Sequence, residues 1–234
     1  MAETMPGQYT VGYLKLLEMA KKRVLLDFKS VDQILRQEQC DCLPVKSSDA
    51  RKYFEYALTL DVKLKRGEYA DFIRGITPLI VDLFEIILKK QCKINIEDYA
   101  ENTKKGKVWD KQTLSGTVIE QTLKDHYKTF QYGIIYSDHL KTLIEKFSQD
   151  NRLVTIVEDL RNVEGSVRNL AAHQIVSITD ETIRELTNFN GEQIMKKIKL
   201  IFSYTGIKIE KEYWNSYDDM NKKIIERMNQ KKEF

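Results

Sequence analysis

The sequence predicts an all-α fold, a bundle of helices with short connections, on three observations. Apolar residues recur at three- and four-residue steps along almost the whole chain, the spacing of one face of a 3.6-residue helix. Strand-like alternation is nearly absent, and Ile207-Lys208-Ile209 is too short to matter. Only 10 Gly and 3 Pro occur in 234 residues, against roughly 28 at average usage. The tight turns of a sandwich or barrel are therefore undersupplied.

In chain order, Tyr13, Leu17, Ala20, Val24 and Phe28 form the first stripe. Ser48-Asp49 can cap a second helix carrying Phe54, Ala57, Leu58 and Leu64, because a side-chain oxygen there satisfies a free backbone N–H. Phe72, Ile76, Leu79, Ile80, Leu83 and Ile87 make a third, strongly apolar helix. Pro78 inside it predicts a kink or a late start. From Lys93 to Lys111 the pattern weakens, and Asn102 to Lys107 reads as a solvated loop. Leu114, Val118, Ile119 and Leu123 begin the next helix. Ser137 or Asp138 caps one with Leu140, Leu143, Ile144 and Phe147 inward, and Leu153, Ile156, Val157 and Leu160 continue the series. Gly165-Ser166 predicts a break, with Ser166 capping a helix to about Val176. Thr179 caps another, with Asp180 and Glu181 at the positive end of its dipole. Ile194, Ile198, Ile201 and Phe202 lead to a stop at Gly206. Tyr217, Met220, Ile224 and Met228 mark a last amphipathic helix.

Composition narrows the function classes. With 42% hydrophobic and 31% charged residues, a disordered chain or a disulfide mini-protein is not expected. A net charge of +3 neither announces nor excludes a nucleic-acid partner, since distribution decides. No apolar run approaches the roughly 18 residues of a membrane span, and the opening MAETMPGQYT lacks the basic and apolar regions of a signal peptide. The expectation is a cytoplasmic protein with no membrane partner. Cys40, Cys42 and Cys92 then read as reduced thiols, and Cys40-Asp41-Cys42 has neither a nearby His nor a second Cys pair to complete a metal site.

Phosphate-loop, dinucleotide, HExxH and GxSxG motifs are all missing from the sequence. Of three histidines, His126 and His139 read as surface or half-buried polar residues. His173 ends the string Val167-Arg168-Asn169-Leu170-Ala171-Ala172-His173. Asn169 and His173 are four apart and share a helical face. Arg168 lies about 140° away around the axis, within reach of a long side chain. Ala171 and Ala172 leave room for a second helix. A cation, an amide and an imidazole in this arrangement can grip a phosphate and transfer a proton. The same residues also suit a satisfied polar face in a tightly packed bundle, and the residues by themselves leave both readings open.

Arg168-Asn169-Leu170-Ala171-Ala172-His173 resembles the Arg–polar–x–x–x–His signature of HEPN domains, an all-α ribonuclease fold. From about Thr113 onward the chain is similar to the C-terminal ribonuclease half of the ancillary type III-A CRISPR ribonucleases, and the preceding helices resemble their linker and accessory helices. The resemblance implies accessory helices over 1–110 and a HEPN core over 111–234. It also implies metal-independent cleavage of single-stranded RNA, with no cofactor, by 2′-OH attack in antiviral defence. Arg168 would hold the scissile phosphate, His173 would transfer a proton, Asn169 would orient them, and Arg161 would grip a flanking phosphate. The resemblance further implies a homodimer that joins two motifs at one composite site. A cyclic oligoadenylate activator would bind a sensor domain, and this chain has no strand–helix alternation that could form one. The alternative of another class is a non-catalytic all-α interaction or RNA-binding module.

Overall fold

The computed structural model describes the backbone of residues 7–38, 43–173, 177–210 and 213–229, and the side chains of 12–37, 43–166, 177–210 and 214–229. Cys40, Cys42 and Val176 lie outside the described residues. The fold is all-α, with one small hairpin. By contacts the chain divides into two compact units, residues 1–59 with 207–234, and residues 60–206.

The first unit holds α1 (Gly7–Val24), α2 (Phe28–Glu38), most of α3 (Ser48–Lys65) and α11 (Ser216–Asn229). Leu16, Met19, Val31, Ile34, Leu43, Met220 and Ile224 form its core. The buried face of α1 is one step away from the stripe that the sequence suggests. Leu16, Met19 and Arg23 are buried, whereas Leu17 and Val24 are exposed. The reason is Arg23, whose charge hides the true face in the sequence and whose partner lies 32 residues on. Its Nε and Nη2 donate to the Glu55 carboxylate at 2.9 to 3.2 Å, and Nη2 also donates to Ser216 Oγ at 2.9 Å. The Tyr217 ring covers the guanidinium at 4.6 Å, and its hydroxyl donates to Glu55 at 3.2 Å. Both charged side chains are fully buried, so each depends on the other to offset its desolvation.

The second unit is built on α4 (Tyr69–Ile87), which packs against α7 (Ser137–Phe147), α8 (Asn151–His173) and α10 (Gly191–Thr205). All six residues of the predicted α4 stripe are buried. The helix starts early and runs through Pro78. Burial of Ile76, Leu79 and Ile80 around the proline, at roughly 1.5–3 kcal/mol each, outweighs its interior cost of about 3 kcal/mol. The boundary expected after residue 110 falls inside this unit, because α4, from before it, packs on helices from after it.

The predicted solvated loop is instead a two-stranded antiparallel hairpin, β1 (Ala100–Thr103) and β2 (Gly106–Trp109). Gly106, at φ 123°, supplies a turn conformation that residues with a Cβ avoid. Lys107 is held by Glu85 and Glu97 at 2.6 Å each, and Trp109 is buried. Exposure of residues 101–106, most of β1 and the turn, explains why this stretch reads as solvated.

Beyond the hairpin come α5 (Lys111–Leu114), α6 (Val118–His126), α7, α8, α9 (Asp180–Thr187) and α10. Val118 is exposed rather than inward, because it is the first residue of α6, after the Thr117 cap. Thr179 caps α9 and Gly206 closes α10 in the left-handed conformation, both as the sequence predicts. The predicted break at Gly165-Ser166 does not occur, and α8 is continuous to His173. An interior Gly costs only about 1 kcal/mol, far less than the burial of Leu153, Val157, Leu160 and Val163 holds in place.

Candidate active site

Helices α7 and α8 are joined by residues 148–150, where Asp150 accepts from the N–H groups of Arg152 and Leu153 at 2.8 and 3.2 Å and so opens α8. They run antiparallel: the start of α7 meets α8 late, Ser137 donating to the buried Glu164 and Asp138 Oδ1 lying 3.3 Å from Arg161 Nε. The lengths differ, 11 residues against 23, so α8 overruns the beginning of α7. At 1.5 Å per residue, Arg168 and His173 lie roughly 6 and 13 Å further along the axis than Glu164.

All four predicted site residues therefore share one uninterrupted helix. The side chains of Arg168, Asn169 and His173 are outside the described residues, and only their places on the backbone are given. Helical steps of four, three and four put residues 162, 166, 169 and 173 in one row, and 161, 165, 168 and 172 in the adjacent row. By sequence these rows hold Asn, Ser, Asn and His, then Arg, Gly, Arg and Ala. The described members Asn162, Gly165 and Ser166 are exposed and Arg161 is half-buried, the first row opposite the buried face and the second on its flank.

Arg161 is the predicted residue whose side chain is described. Its guanidinium lies between Asp138 and Glu164, whose Oε2 is 3.8 Å from Nε. Nε is buried and donates no hydrogen bond among the described residues. The side chain folds back over Gly165, where an added Cβ would meet Nη1 at 2.8 Å. Asp138, Lys141, Arg161, Asn162, Gly165 and Ser166 line a cleft of about 300 Å³. Behind it, Tyr127 Oη donates to Asp138 Oδ2 at 2.6 Å and contacts Thr142 Oγ1 at 3.2 Å. Burial, then the hydrogen bond to Asp138, raises the Tyr127 pKa, so the phenol stays a donor.

A second feature went unmarked in the sequence. The Trp109 indole N–H donates to His139 Nδ1 at 3.2 Å, and the Tyr136 backbone N–H approaches the same atom at 3.4 Å. Two donors on Nδ1 fix the neutral imidazole with its proton on Nε2. Burial pushes its pKa below the ordinary value, with Asp138 partly opposing. His139 is half-buried, as expected for a polar residue there, but its partner lies 30 residues away, beyond the reach of local patterns. Among the described residues no group of three or more His, Cys, Asp or Glu is placed to hold a metal ion. No described helix is long and apolar enough to cross a membrane.

Over 180 residues the chain is 28% identical to the CRISPR system endoribonuclease Csm6 of Mycobacterium tuberculosis (strain ATCC 25618 / H37Rv), covering 76% of this chain and 40% of that protein. The chain thus spans well under half the length of this curated relative. Its fold matches Enterococcus italicus Csm6 bound to cyclic hexa-2'-fluoro-hexa-dAMP with a TM-score of 0.62 at 11% identity, over 92% of this chain and 57% of that one. The sequence profile of the Cas_Csm6 HEPN domain matches residues 42–225, more than three quarters of the chain, and the chain belongs to that family.

Proposed function

We propose that the chain is a metal-independent endoribonuclease for single-stranded RNA, acting in the cytoplasm in type III CRISPR defence. The observation that carries this is the Cas_Csm6 HEPN match spanning a continuous α8 that bears Arg168, Asn169 and His173. A substrate 2′-OH gives up its proton and its oxygen attacks the adjacent phosphorus. The P–O5′ bond breaks, the 5′ oxygen takes a proton, and a 2′,3′-cyclic phosphate remains. Arg168 offsets the charge of the pentacoordinate phosphorus with a bidentate guanidinium. His173 transfers a proton near neutrality, and Asn169, one turn earlier in the same row, orients it. Arg161, on the cleft wall, contacts a flanking phosphate. The 2′-OH requirement excludes DNA.

One Arg and one His make a sparse site. A twofold homodimer about the end of α8 doubles it, since an isologous interface presents the same patch twice, and Ala171 and Ala172 leave space for that approach. The relative solved with a cyclic hexa-adenylate analogue supports activation by a cyclic oligoadenylate, held by a sensor domain that is not among these residues.

The test is cleavage of a fluorescent single-stranded RNA by the full chain. Arg168→Ala and His173→Ala each lower the rate by about 10²–10⁴-fold with an unchanged circular dichroism spectrum. Rates within threefold of wild type for both variants remove these residues from the mechanism and favour a non-catalytic helical module. Ala172→Trp weakens dimerisation, read by sedimentation, together with activity.

A further inference from the structure

The same end of the α7–α8 pair carries a cluster of rings that the ribonuclease reading leaves unused. Residues Tyr127 to Tyr136, between α6 and α7, include Tyr127, Phe130, Tyr132 and Tyr136. Around His139 stand Tyr127 at 5.2 Å, Tyr136 at 5.7 Å, Phe130 at 6.0 Å and Trp109 at 6.1 Å between ring centroids. Trp109 is buried, and Tyr127 and Phe130 are half-buried. Tyr136, at 47% exposure, presents its ring to solvent immediately before Ser137 and Asp138, and Asp138 lines the cleft.

Two features separate this from an ordinary surface tyrosine. First, both donors to His139 Nδ1 come from the protein, so the remaining Nε2–H is a fixed donor, and among the described residues nothing accepts from it. Second, α8 overruns the start of α7 toward this segment, so the rings sit at the end of the pair where the Arg168–His173 stretch lies. A flat ring beside a fixed N–H matches an unpaired nucleobase, which offers a π-face and an edge of acceptor atoms.

Resting on the ribonuclease reading, we infer that Tyr136 and His139 form a base subsite for single-stranded RNA beside the scissile phosphate. Tyr136 stacks on the base, and His139 Nε2–H donates to an acceptor on its edge. Trp109 is a positioning residue that holds the imidazole in the donor tautomer. The subsite selects a base with an acceptor in reach, so it sets sequence preference rather than the chemistry of cleavage.

The experiment uses the full chain and a short fluorescent RNA, with His173→Ala as background for binding. Tyr136→Ala is expected to weaken binding by about 5- to 150-fold, the effect of losing one stacked base, while Tyr136→Trp retains affinity. Replacing the stacked nucleotide by an abasic one abolishes the difference between Tyr136 and Tyr136→Ala. On a randomised RNA pool cleaved with His173 intact, Tyr136→Ala and His139→Gln flatten the base profile at one position next to the cut. Equal binding by Tyr136 and Tyr136→Ala within twofold, together with an unchanged cleavage profile, overturns the subsite while leaving the ribonuclease reading intact. Tyr136-dependent binding with no cleavage by the wild type overturns the ribonuclease reading and keeps the subsite.

Discussion

Breaking the Arg23–Glu55 pair tests the reading of the first unit. Both side chains are fully buried, and three hydrogen bonds run from the guanidinium to the carboxylate. Glu55→Gln keeps the shape but leaves a buried cation facing a neutral amide. Removing one partner of such a pair costs about 3–5 kcal/mol. The amide oxygen still accepts one bond, so the expected loss is near the lower end, about 3 kcal/mol. With a urea slope of roughly 1–3 kcal/mol per M, the midpoint falls by about 1–3 M. Trp214 packs on Phe54 at 4.5 Å and is the one tryptophan besides Trp109. In a Trp109→Phe background its fluorescence therefore reports this unit alone. The double variant Arg23→Met with Glu55→Leu removes both desolvation costs and recovers most of the loss. A change under about 0.5 kcal/mol for Glu55→Gln, or a double variant less stable than the single, refutes the argument, which rests on the cost of an uncompensated buried charge.

Two further outcomes are expected. Glu120 accepts from Lys124, from the Tyr132 hydroxyl and from the Gly116 N–H, in that order of effect, and its pKa is lowered from 4.5 to about 2. A carboxyl depressed by folding contributes stability that is complete above its unfolded pKa and lost as pH falls through the folded one. Glu120→Gln therefore flattens the fall in thermal stability between pH 5 and 2, and an unchanged slope refutes this. Gly165→Ala raises the helix propensity of α8 by about 1 kcal/mol while forcing Arg161 Nη1 away from the added methyl. A higher Tm with a lower cleavage rate is predicted, and a higher Tm with full activity takes Arg161 out of the proposed site.

The fold was legible where local periodicity and caps act together. The α4 stripe, the Thr179 cap and the Gly206 stop depend on residues within a few turns of one another. Local pattern fails where the deciding partner is distant. Arg23 disguises the buried face of α1 because Glu55 is far away in sequence. The hairpin leaves no periodic signal because its strands are only four residues long and residues 101–106 are exposed. The continuity of α8 through Gly165 reflects burial that no local rule weighs. For the site, the motif on α8 was visible as a spacing. The Tyr127–Asp138–Arg161 chain and the Trp109–His139 bond were not, because they join segments 11 to 30 residues apart.

The most direct measurement of the central proposal is the chemistry of the product ends. Single-stranded RNA is cleaved in excess EDTA, and the fragments are analysed by mass spectrometry, beside a substrate carrying a single 2′-deoxy substitution at the cut. Attack by the substrate's own 2′-OH predicts 2′,3′-cyclic phosphate and 5′-hydroxyl ends, full activity in EDTA, and no cleavage at the 2′-deoxy position. Fragments with 3′-hydroxyl and 5′-phosphate ends, or activity that EDTA abolishes and Mg²⁺ restores, would contradict it.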